Sequence, residues 1–213
     1  MKGVIIGAGK YGEVYLSYLQ EAGYEIIGFL DDSPSEQGAF HLGIPVLGPI
    51  SILTNLKSTH SIECVFCPLG NNKLRAKLLK RAKDLGYKTP GYIHPTARIS
   101  PNVQIGEGVY ILMDTNVMPH VIIHNYVMIS TGANIIHHTT LMEGVFVSNG
   151  VNLGASINVK PFAYCGMGST IMTGVKELGE DCLIGAGAVV IKDVPDHAVV
   201  AGVPAKIIRI KTT

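Results

Sequence analysis

The chain has 213 residues with 17 Lys and Arg against 16 Asp and Glu, and no segment gathers the positive charge into the stripe a nucleic acid would need. Hydrophobic residues make up 47%, enough for a buried core, while 25 glycines point to many tight turns rather than to disorder. No apolar run reaches the ~18–20 residues of a membrane span.

Met1-Lys2-Gly3-Val4-Ile5-Ile6 leads at once into a glycine motif, unlike a secretory leader. The four cysteines (Cys64, Cys67, Cys165, Cys182) have no framework spacing, and Cys64-x-x-Cys67 falls in a run that reads as a buried strand rather than a redox motif. A cytoplasmic setting is expected. Along residues 1–90, strand-like and helix-like pieces alternate: Val4–Gly7, a helix over Tyr11–Ala22, a strand over Glu25–Leu30, a short helix over Ile52–Leu56, a strand over Cys64–Cys67 and a basic amphipathic helix over Lys73–Leu85. Such a βαβ series makes a small parallel sheet with helices on its faces, a Rossmann-like domain.

Its first turn, Gly7-Ala8-Gly9-Lys10-Tyr11-Gly12, is a full G-x-G-x-x-G, with Asp31 and Asp32 about 20 residues on. Glycines there allow a tight turn and offer a helix N-terminus to phosphate. About 90 residues hold only one mononucleotide half of a dinucleotide fold, which favours a mononucleotide or nucleotide sugar over NAD. Gly7, Gly9, Lys10, Tyr11, Asp31 and Asp32 are the candidate substrate contacts, against a plain packing turn and a strand-end turn.

From Ile93 the chain changes character. Stepping by six gives Ile93, Ile99, Ile105, Ile111, Val117, Ile123, Ile129, Ile135, Leu141, Val147, Leu153, Val159, Cys165 and Ile171, and four residues after each comes a small or β-branched side chain. Glu177 breaks the phase, which resumes one residue later at Leu178, Ile184 and Val190. A period of six fits neither helix nor simple alternation; it fits a parallel β-helix in which three hexads close one triangular coil of 18 residues. Residues 91–213 form this second domain.

The tail adds Ile184-Gly185-Ala186-Gly187-Ala188-Val189-Val190 and Ala201-Gly202-Val203-Pro204-Ala205-Lys206. With the glycine turn, the strand Ile26–Asp32 and the joint Ile93-His94-Pro95-Thr96-Ala97, the whole chain resembles the bacterial sugar O- and N-acyltransferases, of the sialic-acid O-acetyltransferase (NeuD) and bacillosamine or perosamine N-acetyltransferase (PglD) types. The resemblance implies a left-handed β-helix, a homotrimer with sites between subunits, acetyl-CoA as co-substrate, and transfer to a nucleotide-linked or sialic-acid-like sugar in bacterial surface glycan assembly. The family's base is a histidine in a T-G-A-x-x-acid-His-acid segment. Here that segment is Thr131-Gly132-Ala133-Asn134-Ile135-Ile136-His137-His138, which puts the base at His137 and leaves His138 to orient it, assist it or replace it. Eighteen residues separate His120 from His138, so these two should stack on adjacent coils.

By the same resemblance, Gly154 and Ala155 supply the oxyanion amide, Met167, Gly185 and Ala186 line the pantetheine path, and Lys206 meets a phosphate of coenzyme A. Ile136 and His138 stand where many relatives have acids, Tyr11 where some have a histidine, and Phe146 where some have another near the thioester. The five histidines between His94 and His138 lack a carboxylate or cysteine beside them, so no metal is expected. Two rival readings stay open: a non-catalytic nucleotide-sugar-binding β-helix, and an NAD-binding sensor.

Overall fold

A computed structural model describes residues 1–212 and divides into two compact units, Met1–Gly91 and Tyr92–Thr213. In the first unit, β1 (Lys2–Ile6), α1 (Lys10–Glu21), β2 (Glu25–Leu30), β3 (Phe40–His41), β4 (Ile44–Gly48), α2 (Leu53–His60), β5 (Cys64–Phe66) and α3 (Asn72–Asp84) follow in chain order. The sheet runs β3-β4-β2-β1-β5, parallel except for the antiparallel pairing of β3 with β4. The sequence pattern did not mark the β3–β4 hairpin, because Pro45 and Gly43 interrupt any alternation there.

Helix α1 forms where Leu16 and Leu19 face the sheet and are fully buried, whereas Val14, part of the same apolar pattern, is exposed. Helix α3 starts on Asn71, whose Oδ1 accepts the amide of Leu74 at 3.0 Å. Cys64 and Cys67 are buried, and burial pushes their thiols up to about 11 and about 12, so they behave as core groups.

The second unit is a left-handed parallel β-helix. Each hexad contributes a two-residue strand, and strands 18 residues apart stack in parallel: Asn116 on Asn134 on Asn152, Met128 on Phe146 on Tyr164, Ile122 on Thr140 on Asn158. Three sheets of six, five and eight strands result, here called faces one, two and three; a closing hairpin, Ala198–Ala201 with Lys206–Ile210, extends face three. On face one the outward asparagines form a ladder, Asn116 donating to Asn134 at 3.0 Å and Asn134 to Asn152 at 2.9 Å.

The six-step aliphatic residues from Ile111 onward fill the interior with their small partners. The first coil differs: Ile93 and Ile105 are 43% and 37% exposed, although their register is the inward one. Beyond Ile171, the extra residue is absorbed in the turn before Glu177, so that Asn158 pairs with Glu177 across 19 residues instead of 18.

Every coil turns three corners, and every sixth residue from Asn102 to Gly174 has a positive φ. Glycine fills that place at Gly108, Gly132 and Gly144 among others, which accounts for much of the glycine excess. His120 and His138 occupy it at φ 62° and 60°, at a cost of about 1–2 kcal/mol each.

Candidate functional site

His137 and His138 form the corner between the face-one strand Asn134–Ile135 and the face-two strand Thr140–Leu141, and both are exposed. Nδ1 of His137 lies 3.0 Å from Nδ1 of His138, with the rings edge to face. The His138 ring lies 4.8 Å from that of His120, tilted by 33°, one coil away.

The coil repeat carries this corner along the prism. One coil on from His137 stands Ala155, held by a bond from the Ser156 amide to the His137 carbonyl at 3.0 Å. The next coil brings Thr173, whose Oγ1 accepts the Ala155 amide at 3.1 Å. The Gly154 amide is spent on the ladder, donating to Ile171 at 2.9 Å, whereas the Ala155 amide is paired with the Thr173 side chain. The hydroxyl of buried Thr139 pins this corner from inside, donating to the Gly154 carbonyl at 2.8 Å and accepting the Ile157 amide at 3.3 Å.

One coil further, the inserted residue brings Lys192 into line with Thr173. There the corner opens into a cavity of about 400 Å³, whose lining includes Ile191, Lys192, Asp193, Pro195, Ala205 and Lys206. At ~4.8 Å per coil, Lys192 stands about 14 Å from His137. The column therefore joins an imidazole pair, an amide held by a threonine hydroxyl, and a cavity flanked by two lysines. Stepping by 18 from His137 reaches Ala155 and Thr173 in the sequence, but the insertion hides Lys192.

Met167 and Gly185–Ala186 lie elsewhere, on the corner between faces three and one. Met167 and Ala186 are exposed there, and Gly185 is packed so closely that an added Cβ would meet Ala201 Cβ at 3.0 Å. One chain does not bring these residues onto the column of His137, Ala155, Thr173 and Lys192. Phe146 belongs to face three, where it stacks on Tyr164 at 4.9 Å, and not to the His137 corner. Among the described residues, no cluster of three or more His, Cys, Asp or Glu side chains has a metal site's arrangement.

In the N-terminal unit, Gly7 follows β1 at φ 102°, and a Cβ there would strike Leu69 at 2.6 Å. A Cβ on Gly12 would come within 2.1 Å of the Gly7 carbonyl, so this glycine lets α1 close against the turn. Gly9 has nothing within 4 Å of its would-be Cβ and faces open space beside exposed Lys10, with Tyr11 half-buried. β1 lies between β2 and β5, so the Gly7–Gly9 turn and the Leu69–Gly70 segment flank the point where the sheet's winding reverses, the usual ligand crevice of such sheets. The motif marked one side of that crevice; Leu69 and Gly70 had no signal of their own.

Asp31 and Asp32 are engaged with the backbone. Asp31 accepts the Ala8 amide at 2.9 Å and the Ser33 amide at 2.8 Å; Asp32 accepts the Ile50 amide at 2.8 Å. A carboxylate on the Ala8 amide leaves Gly9 and the first turn of α1 as the phosphate-facing part of the motif.

Residues 2–82 match the family model described as the PglD N-terminal domain. The structure is similar to GDP-perosamine N-acetyl transferase from Caulobacter crescentus, solved as a single-histidine mutant with CoA and GDP-perosamine; the TM-score is 0.91 at 31% identity over 100% of this chain and 98% of that one. It is also similar to the acetyltransferase domain of PglB from Neisseria gonorrhoeae in complex with acetyl coenzyme A, with TM-score 0.88 and 32% identity over 97% and 98% of the two chains. A local match of 52% identity over 44 residues links it to 2,3,4,5-tetrahydropyridine-2,6-dicarboxylate N-acetyltransferase of Enterococcus faecalis; it spans 21% of this chain and 18% of that enzyme.

Proposed function

The chain belongs to the PglD-type sugar N-acetyltransferases, and on that premise we propose that it transfers the acetyl group of acetyl-CoA to an amino group of a nucleotide-linked sugar destined for a bacterial surface glycan. The observation that carries this reading is the column at the corner of faces one and two: His137, Ala155, Thr173 and Lys192, ending in the lysine-flanked cavity. An extended pantetheine arm laid along that corner puts a thioester beside His137 and Ala155, and puts phosphates beside Lys192 and Lys206.

The sugar amine attacks the thioester carbonyl, and the Ala155 amide turns from Thr173 to the developing oxyanion. A single such donor is worth about 10²–10³ in turnover. His137 takes the proton released as nitrogen acquires its fourth bond. Collapse of the intermediate breaks the C–S bond, and the proton passes to the leaving sulfur of CoA. A general base of this kind supplies about 10²–10⁴-fold.

The N-terminal unit holds the nucleotide, with Gly7, Gly9, Lys10 and Tyr11 at the phosphates and sugar and the Asp31–Asp32 loop beside them. The active form is a homotrimer in the cytoplasm. Met167, Gly185 and Ala186 lie on a different corner from His137, so a neighbouring copy supplies them to the pantetheine arm. The test is a thermal-shift panel with acetyl-CoA, UDP, GDP, CMP and NAD, because a ligand at ~100 times its dissociation constant adds about 2.7 kcal/mol. Stabilisation by acetyl-CoA and by one nucleotide is expected, with turnover abolished in His137→Ala but CoA binding kept. A response to NAD without one to acetyl-CoA would overturn the reading.

A further inference from the structure

The two imidazoles at the corner share a single hydrogen bond, Nδ1 to Nδ1 at 3.0 Å. A neutral imidazole carries its proton on one nitrogen only, so this contact requires one ring with Nδ1–H and one whose Nδ1 is a bare acceptor. The two assignments differ in which ring keeps a free lone pair at Nε2, the end that points away from the pair. A carbonyl held by the Ala155 amide lies in the column of His137, whereas His138 shares its column with His120, whose ring it stacks against.

We infer that His138 is a positioning residue: its Nδ1 accepts the Nδ1–H of His137, fixes that tautomer, and leaves Nε2 of His137 free to take the acceptor's proton. The inference rests on the proposed acyl transfer for its meaning, but not for its geometry. Two restraints hold His138 in this task, the His120 ring 4.8 Å away and the left-handed corner at φ 60°. When His137 is protonated at Nε2, the bond it donates becomes charge-assisted and shortens. His138 neither gains nor loses a proton in the cycle; that proton travels from the amine to His137 and on to sulfur. A neutral imidazole thus does the orienting that a carboxylate does beside many catalytic histidines.

The corner itself supplies the variants. Phe162 stands at φ 61°, Asn102 at 63° and Asp114 at 56°, so Phe, Asn and Asp are all accepted at the equivalent place in a coil. His138→Phe keeps a ring against His120 but offers no acceptor; His138→Asn and His138→Asp keep an acceptor. His138→Phe should lower kcat by about 10- to 100-fold, short of the ~10²–10⁴ a base supplies, with KM for acetyl-CoA and the melting temperature unchanged. His138→Asn and His138→Asp should stay within several-fold of the parent kcat.

Full kcat in His138→Phe, or an equal loss in all three variants, would overturn the inference. A second readout needs no turnover. Ring-nitrogen NMR of the histidine-labelled protein should report His137 as the Nδ1–H tautomer and His138 as the Nε2–H tautomer, and the reverse pairing sinks the proposal. A parent protein without acetyltransferase activity but with these tautomers would instead count against the acyl-transfer reading.

Discussion

The amide of Ala155 is not idle: it donates to the hydroxyl of Thr173 at 3.1 Å, one coil along the corner. A thioester oxygen must therefore compete with that hydroxyl for the amide. Thr173→Val keeps the β-branched shape and removes the competitor. Steady-state kinetics should show kcat within about threefold of the parent and KM for acetyl-CoA unchanged or lower, because the donor of the oxyanion survives. A tenfold fall in kcat would mean that the Thr173 hydroxyl itself donates to the oxyanion.

The glycine turn separates folding from binding. At Gly12 a methyl group would fall 2.1 Å from the Gly7 carbonyl, a backbone atom that cannot step aside. Gly12→Ala should cost about 1–3 kcal/mol or more, read by urea denaturation. At Gly9 the same methyl meets nothing within 4 Å, and φ of −70° suits any residue. Gly9→Ala should leave stability within about 0.5 kcal/mol while weakening nucleotide binding in a titration, since the methyl occupies the space a phosphate would approach. Unchanged nucleotide affinity would place the phosphates elsewhere.

The period of six was legible without the structure because each hexad turns the same two positions inward, and at one of them thirteen aliphatic residues and one cysteine in register leave little else to read. Ile93 and Ile105 show its limit: they carry the pattern yet remain open on the first coil. Stacking of His120 on His138 followed from arithmetic alone, since their spacing equals one coil. The occupation of Asp31 by the Ala8 amide did not, because a carboxylate near a glycine turn can point either way and only the loop geometry decides. Nor did Lys192, which a single inserted residue moved into the column of His137.

His41 ties three pieces of the N-terminal unit together. Its Nδ1 lies 2.8 Å from Glu13 on α1, and its Nε2 lies 2.7 Å from Glu36 in the turn after β2. The hydrogen bond to Glu13, and then that to Glu36, hold the imidazole above its ordinary pKa. Because the folded value is raised, the stabilisation is fully present below the unfolded pKa of ~6.5 and is lost as pH rises through the folded value. The melting-temperature difference between the parent and His41→Gln should be largest in mild acid and shrink above neutrality. A difference that does not vary with pH would mean that the two carboxylates contribute no charge pairing here.

Thr139 tests whether the corner must be held rigid to work. Its buried hydroxyl uses both its donor and its acceptor capacity, on the Gly154 carbonyl at 2.8 Å and the Ile157 amide at 3.3 Å. Thr139→Val fits the same space and strands both groups, at about 1–3 kcal/mol for each left buried and unpaired. Thr115 is the matched control. It too is buried, and its hydroxyl donates to the Ser130 carbonyl at 3.1 Å, at the corner between faces three and one. Both valine variants should melt earlier than the parent by urea or heat. Below that transition, Thr139→Val should also lose turnover, because the Gly154–Ala155 segment no longer has an anchor, while Thr115→Val should keep it. Equal turnover in the two variants would show that Thr139 serves the fold alone and that the Ala155 amide is held by its ladder neighbours.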